Sequence, residues 1–169
     1  MTGVQTCGSS DLPEILRQQD EALRFTSRIS NHDALTIGLY AIEQANSFGM
    51  AFSIRVIANG AIVFSHHMDG IGLGNDWWMD KKLNTARETG LSTLRLFSEV
   101  QAGTREAPDF LENRSSYAID GGCVPMRTTD GRIFGYVIAS GAPHQYDHEV
   151  ATRAIARFLN VDVPSVVPV

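Results

Sequence analysis

A mixed α/β (α+β) domain, an antiparallel sheet of about five strands with helices packed on it, is the fold class this 169-residue sequence predicts. Three observations carry the expectation. Two strand-rich stretches each fold back on a turn dipeptide that tolerates positive φ, Asn59-Gly60 and Asp130-Gly131. Around them lie stretches with apolar residues at helical spacing. The order is helix, helix, two strands, helix, two or three strands, helix, which keeps the hairpins inside each strand group and argues for antiparallel pairing.

Taken in order, Asp11 to Thr26 sets Leu12, Ile15, Leu16, Leu23 and Phe25 among charges, with Pro13 acceptable in a first turn, and reads as one amphipathic helix. Asn31 is positioned to cap a second helix. Its stripe is Ala34, Leu35, Gly38, Ala41, Ile42, Ala45 and Phe48, and Gly49 stops it. In the hairpin Ala51 to Met68 the turn pairs Ala58 with Ala61, Val56 with Val63, Ile54 with Ser65 and Phe52 with His67. Neither face of it is cleanly polar, so cover is expected on both sides, from helices or from another subunit.

A glycine-rich link, Asp69 to Gly74, leads into a helix expected to run from Asn75 through Gly90 to Leu94 and Phe97, bent at Gly90. Ala102 to Arg114 is polar and reads as a mobile insertion. Strands follow over Gly122 to Thr128 and Arg132 to Ser140, then a helix from about Gln145 to Leu159. The expected domain is 11–160, preceded by a disordered leader over 1–10 and followed by an extended tail over 161–169.

Hydrophobic residues make up 43% and charged residues 20%, an ordinary globular balance, and no run approaches the roughly 18 apolar residues of a membrane span. A net charge of −5 with scattered Lys and Arg leaves no basic face for a nucleic acid. Cys7 and Cys123 are a poor disulfide framework, which with the absence of a secretory pattern at Met1 to Ser10 predicts a cytoplasmic protein.

The densest chemistry is Gly74-Asn75-Asp76-Trp77-Trp78-Met79-Asp80-Lys81-Lys82. Asn75 suits an N-cap and Asp76 the positive helix end, while Trp77 with Lys81 and Trp78 with Lys82 are each four apart and share a side. These groups read either as a ligand clamp with an indole wall or as a dipole complement with solvated charges. Asp147-His148, at the start of the last helix, reads as an orienting carboxylate and a base, or as a cap beside a core-edge histidine. His66 and His67 point to opposite strand faces and cannot easily share a metal ion. Gly70, Gly72 and Gly74 lack the Lys and Ser or Thr of a phosphate loop. Cys123 reads as a small buried residue, and Gly121-Gly122 as a bulge or a close backbone approach.

Three motifs stand in order: Asn75-Asp76-x-Trp78-x-x-x-Lys82-x-Asn84, Gly121-Gly122 before a strand, and Ser140-Gly141-x-Pro143-x-x-x-Asp147-His148. Together they resemble the HbpS-like and GlcG-like "haem-degrading" domain family, in its uncharacterised UPF0303 branch. The resemblance implies a profilin-like sandwich with a sheet of about five strands, assembled into homodimers or higher homo-oligomers. It gathers Asn75, Asp76, Trp78, Lys82, Ser140, Asp147 and His148 into one site; Trp77, Gly121, Gly122 and Gly141 are expected beside them as ligand-binding residues, and no metal is expected. Where this branch carries His before Gly-Gly, the chain has Asp120, and where it carries His-Ser-Ser, the chain has Leu91-Ser92-Thr93.

Two functions follow as expectations, with a purely structural assembly protein as a third reading. The first is an oligomeric small-molecule binding protein, with haem the first ligand to consider: Trp77 or Trp78 would wall it, Lys81, Lys82 or Arg87 would meet its propionates, and His148 would ligate its iron. The second is an enzyme doing acid/base chemistry on a small polar substrate, with His148 as base, Asp147 or Asp76 orienting it and Lys82 stabilising an anion.

Overall fold

The computed structural model describes residues 11–168, so the expected leader over 1–10, with Cys7, lies outside them. The elements are α1 (Leu12–Ala22), β1 (Arg24–Phe25), α2 (Asn31–Phe48), β2 (Ser53–Ala58), β3 (Ala61–His67), α3 (Gly74–Thr89), α4 (Thr93–Gln101), a 3-10 turn (Asp109–Glu112), β4 (Cys123–Thr128), β5 (Ile133–Ser140) and α5 (His144–Leu159). One five-stranded sheet runs β1-β4-β5-β2-β3. It is antiparallel except for β1, which pairs with β4 in parallel.

Strand alternation sorts the side chains into two layers. Phe52, Ile54, Val56, Val124, Met126, Val137 and Ala139 face α2 and α5. Ile57, Cys123 and Ile138 face α3, against Met79, Leu83 and Ala86. Over its interior strands both faces of the sheet are therefore covered by helices of the same chain, which is why every residue of β2, between β5 and β3, is buried. Strand β3 lies at the sheet edge and is largely exposed, with Ile62 at 61%.

Several elements differ from the sequence reading, each for a local reason. The first helix ends at Ala22, and Arg24 and Phe25 leave it to add a fifth strand, where Phe25 packs edge-on to Phe134 with centroids 5.0 Å apart. Ser30, not Asn31, caps α2 by accepting from Asp33 N at 3.1 Å, and Asn31 instead takes a hydrogen bond from Asn59 Nδ2. The hairpin register holds next to the turn, Ala58 opposite Ala61. It then slips at a bulge, so that Val56 faces Phe64, Ile54 faces His66 and Ser53 faces His67.

The long central helix is two helices. Gly90 ends α3 in the left-handed region at φ 68°, and Ser92 caps α4 by accepting from Arg95 N. From Val163 to Pro168 the chain has no regular structure but packs onto α1 and α5. Val163 and Val167 are buried, Pro164 O accepts from Gln19 Nε2 at 2.7 Å, and Val166 N donates to Glu149 at 2.8 Å.

Candidate functional site

The starts of α3 and α5 lie side by side because β5 delivers the chain at Ser140 directly beneath Asn75, where the Ser140 hydroxyl donates to Asn75 Oδ1 at 2.9 Å. That contact replaces the expected cap: α3 begins at Gly74 behind Leu73, and Asn75 turns toward the neighbouring strand instead of back onto its own helix. Between the two helix starts lies a cleft of about 330 Å³. It is lined by Asn75, Trp78, Lys82, Asp120, Ser140, Gly141, Ala142, His144 and Asp147.

The floor is an ion pair. Lys82 Nζ donates to Asp147 Oδ2 at 3.0 Å and to Ala139 O at 3.1 Å, and both side chains are almost fully buried, 3% and 4% exposed. Asp147 Oδ1 accepts from Ala142 N at 3.0 Å. Burial pushes the Asp147 carboxyl above its ordinary range, against the pull of the Lys82 ammonium. The Gly121-Gly122 motif makes room for this pair. A Cβ at Gly122 would fall on the Ala139 carbonyl oxygen and 2.8 Å from Lys82 Nζ, and its φ of 135° is one that only glycine adopts freely. Gly121 and Gly122 thus serve backbone approach, with no place in the lining itself.

His144 was not singled out by the sequence, yet it is the imidazole of the cleft. Its Nδ1 accepts from Gly121 N at 3.1 Å, and its ring meets Phe97 edge-on with centroids 4.7 Å apart. Burial holds its pKa below the usual histidine value, with Asp120 pulling the other way. The sequence signal was present: Pro143 ahead of it marks a helix start, and His144 stands four residues before His148 on the same side.

His148, expected to serve as base or ligand, is one turn deeper and closed off. Gln19 Nε2 donates to Glu149 and to Pro164 O, so its Oε1 must accept, and it takes the His148 Nε2 proton at 2.7 Å. Thr152 Oγ1 lies 3.1 Å from the same nitrogen. Nδ1 is then a buried acceptor without a partner among the described residues. Burial holds this pKa down as well. Charging either ring is easier unfolded than folded, so the stability contributed is complete above the usual value of 6.5 and lost as pH falls below it. The urea midpoint is therefore expected to drop between about pH 7 and about pH 5, and His148→Gln to flatten that drop. An equal slope in the variant would remove His148 from the cause.

Asp76 is also outside the cleft. Its Oδ1 accepts from Arg55 Nη2 at 3.0 Å and from His67 Nε2 at 3.1 Å, while the Ser53 hydroxyl donates to His67 Nδ1 at 2.6 Å. This Ser-His-Asp line is not nucleophilic machinery, because Ser53 is fully buried. Its role is to tie α3 to β2 and β3, with Arg55 reaching Asp80 at 2.5 Å as well. Trp77 is 51% exposed on the outer side, where Lys81 Nζ sits 3.8 Å from its ring centroid and 4.6 Å from that of Trp78. Of the expected site, Asn75, Trp78, Lys82, Ser140, Gly141 and Asp147 meet; Asp76, Trp77 and His148 do not. Cys123 is a free thiol that burial pushes up, and His66 and His67 diverge to opposite faces of β3. Among the described residues no three of His, Cys, Asp and Glu gather where a metal ion could be held.

The family model for "Haem degrading protein HbpS-like" matches residues 29–156. The chain belongs to the HbpS-like family. A UPF0303 protein of Brucella melitensis is 31% identical over 150 residues, 88% of each chain. Among solved structures, Ybr137w superposes with a TM-score of 0.72 at 22% identity, covering 93% of this chain and 91% of that one. The PduOC:Heme complex gives 0.63 at 20% identity over 82% and 99%. At these identities the two structures share the fold of this HbpS-like chain. Residues outside the family match, α1 and the tail beyond Leu159, are the ones that clasp α5 through Gln19, Glu149 and Val166.

Proposed function

We propose that this HbpS-like protein binds a small polar molecule in the cleft between the starts of α3 and α5. The observation that carries the reading is the cleft itself: an indole, an amide, a hydroxyl and an imidazole converge over a buried Lys82–Asp147 pair. The acid/base alternative loses ground, since His148 is sealed in the core and Asp76 is tied to Arg55 and His67. A cytoplasmic setting is part of this reading, supported by the free thiol of Cys123. No helix among the described residues is long and apolar enough to cross a membrane.

Haem, bound in one solved relative, fits these residues poorly. The lining is mostly polar, with Trp78 its one large apolar side chain, so the cleft offers no flat apolar slot for the two faces of a tetrapyrrole. His144 offers a protonated Nε2 while Nδ1 accepts from Gly121, the reverse of what an iron ligand needs at that nitrogen. Hemin titration is expected to give no saturable histidine-type Soret shift; such a shift, lost in His144→Ala, would restore haem.

The binding reading is tested by screening a chemically mixed fragment library by NMR against the full chain and against Ala142→Phe, whose ring would fill the cleft. Hits lost in the variant support it. An absence of hits, or hits that survive the variant, would defeat it.

We also propose a homo-oligomer. Its support is the unpaired edge of β3 together with the exposed apolar side chains Leu35, Leu39, Ile62 and Leu73. Light scattering at micromolar concentration is expected to give a multiple of 18.5 kDa, and a mass of 18.5 kDa alone would refute it.

A further inference from the structure

We infer that the ligand of this cleft is a small monocarboxylate, an inference that rests on the binding reading above. The hydrogen-bond groups left over after the protein has satisfied itself point to it. Asn75 spends its Oδ1 on Ser140, which leaves its Nδ2 without a partner among the described residues. Lys82 Nζ spends two protons on Asp147 and Ala139 and keeps the third. His144 accepts at Nδ1 from Gly121, so the neutral ring that burial favours carries its proton on Nε2, again without a partner among the described residues. These three leftovers are donors on the lining of one cleft, where the acceptors left are the Ser140 hydroxyl oxygen and, at the rim, the Asp120 carboxylate. Asp147, the buried carboxylate there, has one oxygen on Lys82 and the other on Ala142 N, so it does not compete for them.

The field at the floor has the same sign. Lys82 and Asp147 cancel as a pair, and two helices begin at this point, Gly74 for α3 and His144 for α5, each presenting its positive end. The rim has the opposite sign, because Asp120 is exposed at the mouth. One negative charge is accommodated at the floor, whereas a second would meet Asp120. That favours a monocarboxylate over a dicarboxylate. Trp78, 39% exposed along one wall, offers a flat surface for the apolar remainder of the acid.

Three probes of matched shape separate these claims by calorimetry on the full chain: benzoate, its neutral isostere benzamide, and phthalate with a second carboxylate. Benzoate is expected to bind roughly tenfold or more tightly than benzamide, the effect of one charge-assisted hydrogen bond. Phthalate is expected to bind more weakly than benzoate, and to recover in Asp120→Asn. Asn75→Ala, on a partly exposed first turn, is expected to weaken benzoate roughly tenfold and benzamide much less. Equal affinity for benzoate and benzamide, or no change in Asn75→Ala, overturns the carboxylate assignment. If benzamide binds as well as benzoate and both are lost in Ala142→Phe, the charge assignment falls while small-molecule binding in the cleft stands. If neither probe binds but library fragments do, the assignment falls in the same way; if nothing binds at all, both readings fall.

Discussion

Lys82→Met is expected to lower the unfolding free energy by about 3–5 kcal/mol at neutral pH, because it leaves Asp147 buried without its counter-charge. The Asp147 carboxyl already has a raised pKa in the folded state, and removal of Lys82 raises it further. A group raised on folding contributes stability below its unfolded pKa and loses it as pH rises through the folded value. The deficit of the variant should therefore shrink in acid, as Asp147 takes up a proton. Lys82→Met with Asp147→Leu should recover much of the loss, since a buried pair exchanged for apolar residues of similar volume is often neutral or stabilising. Urea denaturation of the two single variants and the double variant at neutral and acid pH measures all of this. A single-variant loss below about 1 kcal/mol would show that the pair is solvated in solution.

Glu149→Ala is expected to be of similar size, again about 3–5 kcal/mol, for a different reason. The Glu149 carboxylate is fully buried and accepts from Gln19 Nε2 at 3.0 Å, Arg153 Nε at 2.7 Å and Val166 N at 2.8 Å. One side chain of α5 thus fastens both α1 and the tail. Removing it strands the Arg153 guanidinium, whose Nη1 holds Val163 O at 3.0 Å and whose Nη2 already lacks a partner among the described residues. Limited proteolysis should then cut between Asn160 and Val167 before the rest of the chain. Wild-type protection of that segment in the variant would mean that Val163 and Val167 hold the tail by burial alone.

The helices and hairpins were legible because periodicity and turn chemistry are local. Asn59-Gly60 predicted its hairpin and Gly49 its helix end, and the structure places both as read. What local signals could not show was decided by distant partners. Arg24 and Phe25 look helical in sequence and become a strand only because the edge of β4 is there to pair with. The bulge beyond Ile57 and Ile62 that shifts the hairpin register carries no residue signature of its own.

The site was partly legible for the same reason. Trp78 and Lys82, spaced by four, share the cleft side of α3, and Asp147 meets them across 65 residues of sequence. His148 was misplaced because one helical face runs from the cleft into the core. His144 at its start is reachable, while His148 one turn on is sealed by Gln19 and Thr152, and Gln19 belongs to a helix the motifs do not mention. Asp76 shares a first turn with Asn75 but projects toward Arg55 instead.

The most direct test of the cleft as the ligand site is a two-dimensional amide NMR titration of the labelled full chain with benzoate. The expected result is saturable shifts at the Asn75 side-chain amide, the Trp78 indole, Gly141 and Ala142, with the Trp77 indole and the Gln19 side-chain amide unmoved. Shifts gathered instead around Thr26, Arg28 and Arg132, which line a separate cavity at the other end of β5, would contradict it, as would no saturable shift anywhere.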